Sequence, residues 1–422
     1  MNAVAPPTAD AFAYAGGVLC AERAPLTSLA AQFDTPCFVY SRAALEGAWR
    51  AFDEAFGTQP HLVCYAVKAN ANLGVLDIFA RLGSGFDIVS GGELARVVAA
   101  GGDARRVVFS GVGKTETEME KALASDILCF NVESASELTV LAAVARRMGK
   151  VAPVSLRVNP DVDPRTHPYI ATGLKESKFG IGIDDAAALY RHAAMLPSIA
   201  VRGIDIHIGS QITELAPYRE AVEKMLALVD ELSAHGITLA HIDVGGGLGI
   251  RYSNETPVPL ADYAAMLVRL FRGRREMLLL EPGRRLVGDA GVLLTRVLYL
   301  KPGQPKRFAI VDAGMNDLIR PSLYDAWHAV DPVVPRATEP QRWDIVGPVC
   351  ESADFLARDR TLALEEGDLL VVRSTGAYAM TMSSNYNART RACEVIADGA
   401  TAHLVRRRER VDELFADESR LP

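Results

Sequence analysis

The sequence predicts an α/β barrel joined to an all-β domain: a (β/α)8 TIM-like barrel over residues 36–285, and a β-sandwich or β-barrel-like domain over 286–422, to which residues 1–35 contribute. Three observations predict it. Eight short apolar runs alternate with longer segments of helical spacing, over about the length such a barrel needs. Almost every run ends in a polar residue or in glycines, the pattern expected where a barrel gathers its chemistry at the C-terminal rim. After Arg284 the rhythm changes to β-like runs separated by breakers. A doubly wound sheet would use similar units, but it requires neither eight strands nor this polar pattern.

Along the chain, the first segment holds Pro6-Pro7, Val18-Leu19, a helix-like stretch from Leu26 to Phe33 and the strand-like Cys37 to Tyr40, a strand that can also join the second domain. The apolar runs of the barrel are 62–67, 86–89, 107–110, 128–131, 154–158, 201–208, 239–244 and 278–280. Between them, apolar residues recur at helical spacing in 73–82, 93–100, 116–123, 135–148, 218–234 and 263–272. A long loop, 161–182, follows the fifth run; loops of that length often act as lids. The second domain reads as runs at 291–300, 307–312, 342–346, 368–373 and 393–396, with Pro302-Gly303 and Glu366-Gly367 between them.

Composition sets the limits. The 422 residues suit two domains, and 49% hydrophobic with 23% charged residues is the balance of a soluble globular protein. A net charge of -7 with the signs interspersed argues against nucleic acid and anionic membranes as partners. No apolar run approaches a membrane span, and residues 1–10 show no export signal. The six cysteines lack the paired spacing of a zinc site or a disulfide framework, so reduced thiols in the cytoplasm and no metal are expected.

The chemistry-bearing stretch is Tyr65-Ala66-Val67-Lys68-Ala69-Asn70, where a buried strand ends on an amine. Such a lysine is salt-bridged, a point charge for an anion, or a nucleophile of lowered pKa. Polar residues also close the other runs: Asp87 with Ser90, Ser110, Asn131, Arg157 with Asn159, His207, Gly245 to Gly249, and Glu281. The glycines after run seven, with Gly283-Arg284 after run eight and Ser210 after run six, have the placement of a phosphate site. Alternatively, the glycines only make a tight turn, Glu281 and Arg284 only pair with each other, His207 is a structural group, and Arg157 packs under the loop that follows it. In the second domain, Cys350 lies beside Glu351 and Asp354, either as a proton donor or as a buried structural thiol.

Tyr65 to Asn70 resembles the pyridoxal 5'-phosphate (PLP) attachment site of the barrel-type amino-acid decarboxylases and alanine racemases. With His167 to Ile170, Lys178-Phe179-Gly180, His207 to Gln211, Gly245 to Gly249, Glu281 to Arg284, Cys350 to Ser352 and Tyr378 to Asn387, the chain resembles the diaminopimelate decarboxylase family from about Asp34 onward. The resemblance implies an alanine-racemase/ornithine-decarboxylase-like fold and a carboxy-lyase that converts meso-2,6-diaminopimelate to L-lysine and CO2 through a PLP Schiff base on Lys68. It implies that His207, Ser210, Gly247, Glu281, Pro282, Gly283, Arg284 and Tyr378 hold the cofactor. Arg284, Arg320, Tyr324, Glu351 and Tyr378 would then contact substrate, and Cys350 would return the proton. It further implies a homodimer with shared active sites, completed by the β domain. The alternatives are an ornithine- or arginine-type decarboxylase, which has no use for the Arg320 clamp, and a non-catalytic PLP-binding relative.

Overall fold

The computed structural model of the chain describes residues 11–422 except 165, 167–171, 174–176 and 304. His167 to Ile170, and other parts of the 161–182 loop, lie outside the described residues. The chain forms two compact units, one of residues 49–251 and 255–285, the other of residues 1–48, 252–254 and 286–422.

The first unit is a closed barrel of eight parallel strands: His61–Ala66, Gly85–Ile88, Val107–Phe109, Cys129–Val132, Ala152–Asn159, Ile199–Asp205, His241–Asp243 and Met277–Leu280. The fourth strand pairs with the fifth and the eighth with the first, which closes the ring. These are the eight apolar runs with their ends shifted by one to three residues: Val67 belongs to a 3-10 turn, residues 206–208 lie beyond the sixth strand, and the fifth strand extends past its run at both ends. Leu62, Cys64, Val108, Cys129 and Leu279 pack together as an apolar layer. Asp205, Asp243, Leu279 and Leu62 lie side by side in the strand register, so the inward face changes from apolar to acidic around the ring at one level.

Helices follow the strands where the spacing predicts them, as Leu73–Arg81, Gly91–Ala99, Glu116–Ala124, Ala135–Arg147, Leu215–Ala234 and Leu260–Leu270. Side-chain caps start several: Asn72, Ser90, Thr115 and Ser134 each accept a hydrogen bond from a first-turn N–H. The helix Ile183–Ala194 was not expected from the sequence. It opens without a side-chain cap, directly after the long loop.

In the second unit, Gly291–Lys301 is the central strand, paired with Phe308–Val311, Leu369–Val372 and Cys37–Ser41. Cys37–Ser41 also runs parallel to Cys393–Asp398. This strand lies beyond the start of the barrel drawn at residue 36 from sequence, yet its hydrogen bonds go to the β unit. The sequence reading missed Phe355–Leu362 and Thr401–Arg406, which form the two ends of the sheet path. Edge strands carry charged residues, as Arg358, Asp359 and Arg360 do here, and so lose the apolar signature. A core of Leu19, Leu26, Leu29, Cys37, Val39, Val292, Leu294, Val371 and Val395 backs the sheet.

Candidate active site

Lys68 emerges from the first barrel strand on the single 3-10 turn Val67–Ala69. Tyr65 fixes that turn: its hydroxyl donates to the Asn70 carbonyl at 2.9 Å, and its ring packs 4.5 Å from Phe79. The Lys68 ammonium meets the Asp87 carboxylate at 2.7 Å; Asp87 is fully buried and the lysine about one-third exposed. The amine is thus an ion-paired group at the rim. Nearby, burial pushes the Glu93 carboxyl up to about 7.

Glu281 follows the eighth strand and is buried. Ser110 Oγ and Asn131 Nδ2 both reach its Oε1 at 3.5 Å, and Asn131 also donates to Ser110 at 3.1 Å. Asp205 and Asp243 crowd the same place, with one oxygen from each of the three carboxyls within 4.8 Å of the others. Three carboxylates so close in a dry interior cannot all stay ionised. Burial, then the Asp243 and Asp87 charges, push Glu281 well above the usual carboxyl range, and burial pushes Asp243 up to about 7. A cation docked against Glu281 would relieve that repulsion. Sequence reasoning missed Asp205 and Asp243; the available signal was an acidic residue set inside each of two apolar runs.

His207 is half-buried just past the sixth strand. Its Nδ1 accepts from the Gly246 N–H at 3.2 Å, and burial, with Arg157 and Lys68 adding, lowers its pKa well below the ordinary value. The ring is therefore neutral. The glycine loop is a close backbone approach: a Cβ on Gly246 would lie 2.0 Å from the Glu281 carbonyl oxygen, and one on Gly247 would lie 2.2 Å from that of Gly209. Gly247 also takes φ +98°, a conformation glycine alone adopts freely. Beside the loop, Arg284 donates to Ser210 Oγ at 3.1 Å, while the Pro282 carbonyl accepts from Ala66 N at 3.1 Å, tying the Glu281 turn to the Lys68 strand.

Arg157 lies near the end of the fifth strand. It pairs with Glu133 at 3.2 Å and lies 4.9 Å over the Phe179 ring, so it packs under the following loop. Glu133 also accepts from Gly180 N at 3.1 Å.

The other unit carries Arg320, Tyr324, Cys350, Glu351 and Tyr378. Arg320 is buried at the start of the short helix Arg320–Tyr324, which Tyr324 ends, half-buried. Of the six free cysteines only Cys350 is exposed, which removes the buried structural reading. Its turn is built on the buried Asp354, which accepts from Val349 N at 2.7 Å and Met315 N at 2.6 Å, while Asn387 Oδ1 accepts from Cys350 N at 2.7 Å. Glu351 is exposed beside it. Tyr378, Asn387 and Ala388 all take positive φ without being glycine, local strain of the kind that collects at functional sites.

A lysine at a barrel rim, a carboxylate buried in the barrel interior, a neutral histidine and a cradle with no room for side chains fit PLP. Residues 42–288 match the pyridoxal-binding domain of the pyridoxal-dependent decarboxylases, and the chain is a PLP-dependent amino-acid decarboxylase. It is 59% identical to diaminopimelate decarboxylase of Pseudomonas aeruginosa over 413 residues, 98% of this chain and all of that one. The Vibrio cholerae diaminopimelate decarboxylase is 59% identical over 415 residues, again 98% of this chain and 100% of the relative. A crystal structure of the Helicobacter pylori diaminopimelate decarboxylase complexed with L-lysine superposes with a TM-score of 0.90 at 42% identity, covering 93% of this chain and 99% of that one. The chain belongs to the diaminopimelate decarboxylase family.

Proposed function

We propose that this chain converts meso-2,6-diaminopimelate to L-lysine and CO2, with Lys68 as the residue that carries the cofactor and Cys350 as the proton donor. The observation that carries the reading is the Lys68–Asp87 pair at the rim of a barrel that also holds Glu281 and the glycine cradle. Pyridoxal phosphate, when bound, supplies an electron sink for the bond electrons left on the substrate carbon.

The chain's residues do the rest. Lys68 would hold the cofactor through its amine, which Asp87 keeps in place. Glu281 would supply the carboxylate that keeps the cofactor protonated, and its crowding by Asp205 and Asp243 favours the ionised form only when a cation faces it. His207, neutral and tethered to Gly246, supplies a flat face for stacking. Gly245 to Gly249, Ser210, and Pro282 and Gly283 leading into Arg284 make the phosphate cradle, and Tyr378 adds a contact to cofactor and substrate. The exposed Cys350 thiol donates the proton that replaces CO2.

Selectivity follows from the substrate's far end, a second amino-acid group. Arg320 would meet its carboxylate and Glu351 its ammonium, with Arg284, Tyr324 and Tyr378 as the further substrate contacts that the family resemblance implies. Ornithine and arginine lack that carboxylate and would leave Arg320 without its counter-ion. Cys350 and Glu351 share one exposed turn, which suits service to a second copy, so the catalytic unit in this reading is a homodimer with the β domain completing the site and the interface. Six free thiols suit a reducing cytoplasm, and among the described residues no helix is long and apolar enough to cross a membrane.

The test is a side-by-side assay of the PLP-loaded protein with diaminopimelate, ornithine and arginine, scoring CO2 and the amine product. Lysine from diaminopimelate alone is expected. Turnover of ornithine or arginine would remove the Arg320 clamp, and no turnover despite bound cofactor would point to a non-catalytic relative.

A further inference from the structure

Arg320 is held by two residues that no sequence motif singles out. Its Nη1 lies 2.7 Å from His328 Nε2, and its guanidinium sits 4.4 Å from the centre of the Tyr252 ring. Tyr252 also packs edge-on against His328 at 5.1 Å. His328 itself is fully buried, and Arg360 donates to its carbonyl at 2.9 Å.

The second ring nitrogen fixes the chemistry. His328 Nδ1 is 2.7 Å from the Arg373 carbonyl oxygen, which can only accept. Nδ1 therefore carries the proton, and Nε2 presents a lone pair to the arginine. A doubly protonated ring would aim an N–H at an N–H. A neutral acceptor on one edge and an aromatic face on the other orient the guanidinium, and neither of these contacts cancels its charge.

We propose that His328 is a positioning residue for substrate selection: with Tyr252, it locks Arg320 in the orientation that receives the distal carboxylate of diaminopimelate. This rests on the reading of Arg320 as the clamp. Arg320 has a flexible stem, and a bidentate grip on a carboxylate needs its planar fork already set.

The experiment uses the PLP-loaded enzyme and two probes, L-lysine, which keeps that carboxylate, and cadaverine, which lacks it. His328→Asn puts no acceptor where Nε2 was. It is expected to weaken L-lysine binding and raise KM for diaminopimelate about tenfold or more, the loss of one hydrogen bond to a charged group. The kcat, the PLP content and cadaverine binding should change by less than about twofold, within ordinary scatter for a remote substitution. His328→Gln, whose amide oxygen reaches the Nε2 position, should recover most of the loss. An unchanged L-lysine affinity, or equal losses for both probes, would overturn the proposal. If His328→Asn fails to hold PLP, Tyr252→Leu tests the same lock from the other face, and an equal loss for both probes there overturns it as well. Arg320→Ala separates the two readings: weakened L-lysine binding there beside an unaffected His328→Asn sinks the positioning role alone, and no effect of Arg320→Ala sinks the clamp with it.

Discussion

Lys68 and Cys350 are opposite cases at the scale of the residue. The lysine is held by a fully buried carboxylate on a turn that Tyr65 locks, whereas the thiol stands exposed on a turn that Asp354 and Asn387 hold. Each environment suits the task proposed for it: a buried partner keeps the amine in register, and exposure leaves the thiol accessible. Lys68→Ala should lose the covalent link to PLP, read by mass after borohydride reduction; a reduced adduct elsewhere on the chain would reassign the anchor. Cys350→Ala should keep PLP and lose at least about a hundredfold in turnover, the usual scale of a general acid. Unchanged turnover would remove the thiol from the mechanism.

The buried carboxyls also set a pH dependence. Burial raises Asp243 from 3.8 to about 7, so the fold favours its neutral form. Its contribution to stability is full below the unfolded pKa and is lost as pH rises through about 7. His241, lowered by burial to about 4, works in the other direction and loses its contribution as pH falls. The isosteric Asp243→Asn isolates the acid: thermal unfolding at saturating PLP should fall less between about pH 5 and about pH 8 than in the parent. Parallel curves would place the proton elsewhere in the Asp205, Asp243 and Glu281 group.

At the scale of the element, caps decide where the barrel helices start. The Thr115 hydroxyl accepts from Glu118 N at 3.3 Å while the Glu118 carboxylate accepts from Thr115 N at 3.0 Å, a reciprocal box. Glu118 also accepts from Gly91 N at 2.8 Å, tying this helix to the start of the helix after the second strand. Thr115→Ala should cost about 1 kcal/mol in urea unfolding with activity retained. A loss of activity with intact stability would mean that the link to Gly91 reaches the Asp87 strand. The glycine loop is the other element-level constraint, since its backbone lies against the Glu281 and Gly209 carbonyls with no space for a side chain.

For the whole molecule, the reading of a shared active site makes a prediction that neither variant alone can test. Lys68→Ala and Cys350→Ala protein, mixed and allowed to exchange subunits, should recover part of the parent turnover, because one of the two mixed sites then has both groups. Mixing without recovery, despite exchange confirmed by mass, would mean that each Cys350 serves its own chain.

The alternation of eight apolar runs with helical segments determined the barrel, because burial of a strand and of a helix face leaves different periods in the sequence. The ends of those runs likewise made Lys68, His207, Glu281 and the glycine loop legible, since strand ends at the C-terminal rim are where a barrel gathers its chemistry. Tertiary structure alone decided the rest. Asp205 and Asp243 became one acidic group with Glu281 only when strands distant in the chain came into register, and His328 and Tyr252 met Arg320 only through packing. Arg157 was assigned to Phe179 and Glu133, and Cys350 to an exposed turn, by the same kind of contact. Local sequence records what one element buries; it carries no record of which side chain another element brings within hydrogen-bond reach.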